Sequence, residues 1–168
     1  MTAPSTKNPV PDWLTTPYPH VEDAIISFPR KHILQVTINR PEHRNCLPVE
    51  STLEFGYLWR WYDAEPQLRC AVFTGAGTDA FCAGMDLKQR LALIETNQVA
   101  FEYPNGGFAG MTNRTGKKPI IVACNGHAHG KRAQHISSLG CIHLPRHHKE
   151  GHVEILTWDK KAAVLRWC

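Results

Sequence analysis

Residues 80–88 read AFCAGMDLK, and this stretch decides how the chain folds. A short apolar run ends in an Ala-Gly pair, and Asp86 then stands where a side chain can cap a helix. Leu87, Leu91 and Ile94 recur at helical spacing, so we predict an amphipathic helix after the turn. A strand, a tight glycine turn and a helix in succession are typical of an α/β fold.

The same alternation extends on both sides of this stretch. Residues 32–39 are rich in β-branched side chains and predict a strand that Pro41 ends. Apolar residues at i+4 spacing predict a helix from residue 48 to about residue 64: Val49, Leu53, Tyr57 and Trp61. Residues 70–75 and 119–124 are short and apolar, which predicts two strands buried on both faces of a parallel sheet.

A second glycine turn lies in residues 121–130, which read IVACNGHAHG. A glycine turn at the carboxyl end of a parallel strand lets a ligand approach backbone N–H groups. Two such turns side by side would supply two N–H donors to an oxyanion. Either turn alone is also typical of ordinary strand ends. The prediction of an oxyanion site therefore depends on the combination of the two turns.

The sequence resembles the enoyl-CoA hydratase/isomerase family, also called the crotonase superfamily, in four segments that occur in the family's order: residues 37–45, 71–77, 80–88 and 118–130. It is most similar to the fungal members, which the aromatic helix around residues 59–61 also fits. The resemblance covers about residues 25–130, roughly the first half of the family's domain. It therefore implies the N-terminal half of a crotonase-like ββα spiral, followed by an unrelated-looking tail.

The resemblance also implies a chemistry. The substrate is an acyl-CoA thioester, with a fatty-acyl or secondary-metabolite chain such as a toxin precursor, and two backbone N–H groups stabilise its enolate. The first donor falls on Met85, while Asp86, Leu87 and Lys88 line the same wall in relatives. Candidate partners for the CoA phosphates are Arg44, Lys88, Lys117 and Lys118. Hydratase (lyase) and isomerase activities both stay open.

The match stops soon after Gly130. The second donor falls on Lys131, where relatives have glycine, and the first family glutamate falls on Gln134, which cannot transfer a proton near neutral pH. The tail matches neither the second glutamate, nor the remaining sheet strands, nor the C-terminal helices through which relatives form trimers and hexamers. We expect an impaired enzyme or, alternatively, a non-catalytic acyl-CoA-binding or interaction protein.

Composition changes at the same point. Residues 131–168 hold seven Lys and Arg against three Asp and Glu, whereas residues 1–130 hold twelve of each. We predict a divergent, basic, His-rich tail over residues 131–168 and expect that it reflects truncation, through an unspliced intron or a shifted frame. A third possibility is a protein that binds Zn²⁺ or Cu²⁺ through the tail and its vicinity. Its ligands would come from His127, His129, Cys141, His143, His147 and His148.

Five prolines in the first twenty residues predict a flexible arm over residues 1–24, before an acyl-CoA-binding core at residues 25–130. The chain has neither an 18-residue apolar run nor a secretory signal, and its net charge of +4 is mild. We therefore expect no membrane or nucleic-acid partner and a cytoplasmic or peroxisomal location, although residues 165–168 form no peroxisomal signal. We expect no metal, and no cofactor beyond the coenzyme A of the substrate.

Overall fold

The computed structural model describes residues 10–96 and 106–128, together with the backbone of two short strands further along the chain. The strands are β1 (Ala24–Arg30), β2 (Ile33–Ile38), β3 (Cys70–Gly75), β4 (Ala80–Cys82), β5 (Ile120–Cys124), β6 (His127–Ala128), β7 (Cys141–His143) and β8 (Glu154–Ile155). The helices are α1 (Val49–Ala64) and α2 (Leu87–Glu95), with 3-10 turns at Pro41–His43 and Phe108–Gly110. The α/β fold class predicted from the sequence is confirmed.

One six-stranded sheet has the order β1-β2-β3-β5-β7-β8, and β4 pairs separately with β6. Its centre is parallel: Leu34 of β2 lies opposite Ala71 of β3, and Val36 lies opposite Phe73. These four side chains are buried, whereas the intervening residues of β3 are only partly buried. The prediction that β3 is buried on both faces is therefore wrong, because in the described part of the chain α1 covers one face only.

The edge strand β1 was not predicted from the sequence. It pairs with β2 in antiparallel fashion, with Ala24 opposite Ile38 and Ile26 opposite Val36. Pro29 lies near its end, and an edge strand tolerates proline because one row of its N–H groups has no strand to bond. The pairing with β2, rather than the local pattern, makes this segment a strand.

Helix α1 occupies the predicted span, but its buried face differs from the predicted one. Tyr57 is 57% exposed, whereas Phe55, Trp59 and Tyr62 are buried. Phe55 and Trp59 contact Phe73 of the sheet, with ring centroids 5.6 and 5.3 Å apart. Aromatic residues occur on several faces of α1, so spacing alone could not identify the inward face.

Two glycines let the 3-10 turn at Phe108–Gly110 lie directly against α1. A Cβ on Gly110 would lie 2.6 Å from the Cα of Gly56, and Gly110 itself has a φ of +65°. The indole Nε1 of the neighbouring Trp59 donates to the carbonyl of Ala109 at 3.0 Å. The helix therefore accepts a glycine in its interior because the turn approaches its backbone there.

The predicted flexible arm differs from the structure over residues 10–24. Trp13 and Tyr18 contact Phe28 of β1, with ring centroids 5.6 and 5.8 Å apart, and Val21 is 4% exposed. The backbone N–H groups of this segment also reach Glu65, as described below. Aromatic burial fixes the segment in spite of its prolines. Residues 1–9 lie outside the described residues.

Helix α2 begins where predicted, and the Asp86 carboxylate accepts from the N–H of Gln89 at its start. The apolar face predicted for it is not part of the core, since Leu87, Leu91 and Ile94 are 71, 58 and 53% exposed. In the described part of the chain, no helix is long and apolar enough to cross a membrane.

The tail contributes two strands to the sheet, although its sequence matches none of the family's remaining sheet strands. Strand β7 runs parallel to β5, with Cys141 opposite Val122, and β8 pairs with β7 in antiparallel fashion. Most of residues 131–168 lies outside the described residues, so the domain boundary at residue 130 stays a prediction.

Candidate functional site

The loop between β2 and α1 is closed on itself by Asn45. Its side-chain Oδ1 accepts from the N–H of Arg40 at 3.0 Å, and its Nδ2 donates to the carbonyls of Ala76 and Ala80 at 2.9 and 2.7 Å. Asn45 is fully buried and has a φ of +55°, in the left-handed region that asparagine tolerates. The side chain thus joins this loop to the turn between β3 and β4.

Asn125 performs the same task from the other side of that turn. Its Oδ1 accepts from the N–H of Gly75 at 3.1 Å, and its Nδ2 donates to the carbonyl of Gly77 at 2.7 Å. A Cβ on Gly126 would lie 2.5 Å from the carbonyl oxygen of Asp79. Only glycine at position 126 lets the two chain segments approach this closely.

The two segments singled out in the sequence as glycine turns bring strands β4 and β6 side by side, while residues 129 and 130 of the second segment lie outside the described residues. Strands β4 and β6 are parallel, with Ala80 opposite His127 and Cys82 opposite Ala128. The carboxyl ends of both strands therefore meet at one edge of the molecule.

The peptide unit that precedes Met85 has a defined orientation. Leu47 donates its N–H to the carbonyl of Gly84 at 2.8 Å and accepts from the N–H of Asp86 at 2.9 Å. No cis peptide bond occurs in the described residues, so the N–H of Met85 lies opposite the Gly84 carbonyl across a trans peptide plane. The N–H of Met85 therefore points away from Leu47.

The Asp86 side chain caps the start of α2 and contacts Arg40. One carboxylate oxygen accepts from the N–H of Gln89 at 3.3 Å, and the other lies 3.4 and 3.5 Å from the two terminal nitrogens of Arg40. Burial alone would raise the pKa of the Asp86 carboxyl, but the Gln89 N–H and the Arg40 guanidinium outweigh it and hold the pKa below its usual range. Asp86 is a stable anion that caps α2.

Three of the predicted site residues have exposed side chains: Arg44, Leu87 and Lys88. Arg44 is exposed, and its carbonyl accepts from the N–H of Ala83 at 3.0 Å. Leu87 and Lys88 are exposed on the first turn of α2. Arg44, in the loop before α1, and Lys88, on α2, thus both lie near the Met85 segment in sequence or through its backbone contacts, within reach of solvent. Their predicted roles toward CoA stay predictions.

Lys118, another candidate partner of the CoA phosphates, contacts the end of α1 instead. Its Nζ donates to the carbonyl of Tyr62 at 2.9 Å and to that of Glu65, and burial holds the pKa of its ammonium below the usual range. The prediction that Lys118 meets a phosphate is therefore wrong, because its charge caps the end of α1. Lys117, the other member of the pair, is exposed.

Two of the predicted site residues, Lys131 and Gln134, lie outside the described residues. So do the side chains of all candidate metal ligands except His127. Over residues 10–96 and 106–128, no three His, Cys, Asp or Glu side chains are grouped so that they could hold a metal ion.

Sequence reasoning missed the residues that build the site: Arg40, Asn45 and Asn125. All three lie in the segments that carry the family resemblance, yet each also contacts a distant residue: Asp86, Ala76 and Gly75 lie 46, 31 and 50 residues away, respectively. Asparagine beside glycine at strand ends was the available signal.

Comparison with known proteins agrees with this geometry. The sequence model of the family described as enoyl-CoA hydratase/isomerase matches residues 29–132. The mevalonyl-coenzyme A hydratase SIDH of Beauveria bassiana (strain ARSEF 2860) is 50% identical over 115 residues, which are 64% of this chain and 41% of that protein. The mevalonyl-coenzyme A hydratase sidH of Aspergillus fumigatus is 43% identical over 116 residues, which are 69% of this chain and 42% of that protein.

A solved structure extends the likeness to three dimensions. The structure of a carnitinyl-CoA dehydratase from Mycobacterium avium 104 has a TM-score of 0.59 and 31% identity, covering 72% of this chain and 46% of that one. The present chain spans about two fifths of the length of the two fungal relatives.

Proposed function

Because this chain belongs to the enoyl-CoA hydratase/isomerase family, we propose that it binds an acyl-CoA thioester and acts on it as a hydratase-type enzyme. The observation that carries the proposal is the Met85 peptide unit, whose N–H points away from Leu47 beside the paired β4 and β6. In the proposal this N–H donates to the thioester carbonyl oxygen.

The proposed chemistry is the addition of water to an α,β-unsaturated thioester. The water oxygen bonds to Cβ and one of its O–H bonds breaks, releasing a proton to solvent, as the π electrons move to the thioester oxygen. The enolate then takes up one proton at Cα, so that one water molecule is added overall. A backbone donor aimed at the oxygen strengthens as negative charge develops there, and such a donor is commonly worth about 10²- to 10³-fold in rate. The Gly84 carbonyl already accepts from Leu47, which polarises the Met85 N–H further.

The proposed substrate is a CoA thioester of fatty-acyl or secondary metabolism. Two fungal relatives are mevalonyl-coenzyme A hydratases, so mevalonyl-CoA and its dehydration product are the first compounds to test. The exposed Arg44 and Lys88 are the proposed partners of the CoA phosphates. No other cofactor enters the proposal.

A second candidate is a non-catalytic acyl-CoA-binding protein. The observation in its favour is Gln134, an amide where the family resemblance aligns a glutamate. A missing general acid or base removes about 10²- to 10⁴-fold of rate without abolishing binding. Under this candidate the chain holds the thioester and releases it unchanged.

Calorimetric titration of the 168-residue chain with crotonyl-CoA and with mevalonyl-CoA tests both candidates. Arg44→Ala and Lys88→Ala should each raise the Kd up to about tenfold through the loss of a charge-assisted hydrogen bond. Lys31→Ala is the matched control, since Lys31 is exposed in the β1–β2 turn at the other end of β2. Failure of both thioesters to bind would overturn the proposal.

Turnover separates the candidates. Incubation with crotonyl-CoA in H₂¹⁸O, followed by mass spectrometry, detects one labelled hydroxyl per product molecule. A labelled product formed faster than in a chain-free blank supports the hydratase, and binding without a labelled product supports the binding protein.

A further inference from the structure

The Arg40 side chain contacts both of the chain segments that pair at Leu47 and Met85. It follows β2 and opens the loop before α1, and its side chain is 15% exposed. Its Nη1 donates to the carbonyl of Cys46 at 2.7 Å, and its guanidinium lies 3.4 Å from Asp86 and 3.5 Å from Asp23. A guanidinium can satisfy three acceptors at once because its N–H groups form a rigid planar fork.

Two of these acceptors adjoin the backbone bridge that orients the Met85 peptide. Cys46 precedes Leu47, which forms one side of the bridge, and Asp86 follows Met85, which forms the other. One side chain therefore ties both sides of the bridge together. A rotation of the Met85 peptide would break the bond from Leu47 to the Gly84 carbonyl, and the Arg40 contacts hold the chain segments on both sides of that bond.

Arg40 also compensates a charge. The Asp86 carboxylate is one residue from the N–H that would face a developing oxyanion, and an uncompensated anion there would oppose the enolate. The guanidinium between Asp86 and Asp23 reduces that opposition.

We propose that Arg40 is a positioning residue for the N–H of Met85: its bonds to the Cys46 carbonyl and the Asp86 carboxylate fix the direction of that donor and screen the adjacent anion. The inference rests on the proposed function, since it assigns a task to Arg40 only if Met85 donates to a thioester. It predicts that Arg40 affects polarisation of the substrate more than affinity for it.

The chain offers a site-resolved probe, because it has three methionines, Met1, Met85 and Met111. Labelling with ¹⁵N-methionine gives few amide signals, and a Met85→Leu variant identifies the one of interest. Met111 is 8% exposed and donates to the carbonyl of Phe108, so its signal reports on the global fold.

The experiment titrates the labelled chain with crotonyl-CoA and follows both signals. In the wild type, saturation should move the Met85 amide proton downfield, as a hydrogen bond to the thioester oxygen would. In Arg40→Gln, that displacement at saturation should fall to less than about half, while the Kd rises less than about tenfold, the equivalent of one hydrogen bond. Arg40→Lys keeps the charge but loses the fork, so its displacement should be intermediate.

The outcomes are separable. Arg69→Gln is the matched control at an exposed arginine before the other end of β3, and it should reproduce the wild-type displacement. A full Met85 displacement in Arg40→Gln or in Arg40→Lys at saturation overturns the positioning role while leaving the proposed function intact. Binding without any Met85 displacement in the wild type overturns both. If the Met111 signal also moves in Arg40→Gln, the fold of that variant has changed. The Met85 displacement in Arg40→Lys then tests the positioning role in its place.

Discussion

Glu65 anchors the segment before β1, and its replacement by glutamine should destabilise the chain in a pH-dependent way. The carboxylate is 1% exposed, and each of its oxygens accepts two hydrogen bonds. Oε1 accepts from the N–H groups of Thr15 and Gln67 at 3.2 and 3.1 Å. Oε2 accepts from the N–H and the hydroxyl of Thr16 at 2.9 and 3.0 Å. In glutamine an NH₂ group replaces one of the two carboxylate oxygens. That NH₂ group would face two hydrogen-bond donors and could accept from neither.

The magnitude follows from the ionisation of this group. Burial alone would raise the pKa of the Glu65 carboxyl, but the N–H groups of Gln67, Thr15 and Thr16 outweigh it and lower the pKa from 4.5 to about 2. At 1.36 kcal/mol per unit, the ionised form stabilises the fold by about 3 kcal/mol. A depressed folded-state pKa gives stability that is present above the unfolded value near 4.5 and lost as the pH falls toward 2.

The assay is urea unfolding followed by tryptophan fluorescence, for the wild type and Glu65→Gln at a series of pH values. The free energy of unfolding should fall by about 3 kcal/mol in the variant at pH 7, and the difference should shrink steadily below pH 4.5. Glu95→Gln is the matched control at an exposed position on α2, and its effect should stay within about 0.5 kcal/mol. A Glu65→Gln effect that stays the same at pH 3 and pH 7 would refute the reasoning.

Four further predictions concern the core and the site. Asn45→Ala should lower the free energy of unfolding by about 3 kcal/mol or more, because it leaves two buried carbonyls of the β3–β4 turn without a partner; an effect under 1 kcal/mol in urea unfolding contradicts this. Trp59→Phe removes the donor to Ala109 and should lower it by about 1–3 kcal/mol, and a thermal melt equal to the wild type argues against the bond. Gly126→Ala should lower it by about 1–3 kcal/mol by forcing β4 and β6 apart, and it should weaken crotonyl-CoA binding in the calorimetric titration; unchanged stability and affinity together contradict the close approach. Burial raises the pKa of the Cys82 thiol to about 11, so iodoacetamide at pH 8 should modify it only after unfolding, and rapid labelling of the native chain in peptide mapping is the contrary result.

Local patterns in the sequence were enough to predict most of the central helices and strands. The i+4 spacing predicted the span of α1, the apolar runs at 70–75 and 119–124 predicted β3 and β5, and Asp86 predicted the start of α2. These features depend on residues close together in the chain, so a pattern is enough to reveal them. The order of the motifs was enough to identify the family, because it is far more specific than any one motif.

Long-range contacts, by contrast, determine which faces are buried and which side chains build the candidate site. The buried face of α1 depends on Phe73, and the segment before β1 depends on Glu65, both far away in the chain. The sequence suggests that Lys118 is a surface cation, yet its ammonium donates to a carbonyl at the end of α1. Arg40 looks like an ordinary loop residue until Asp86 is brought beside it. Such contacts join residues dozens of positions apart, and burial and hydrogen-bond geometry, which no local pattern encodes, determine them.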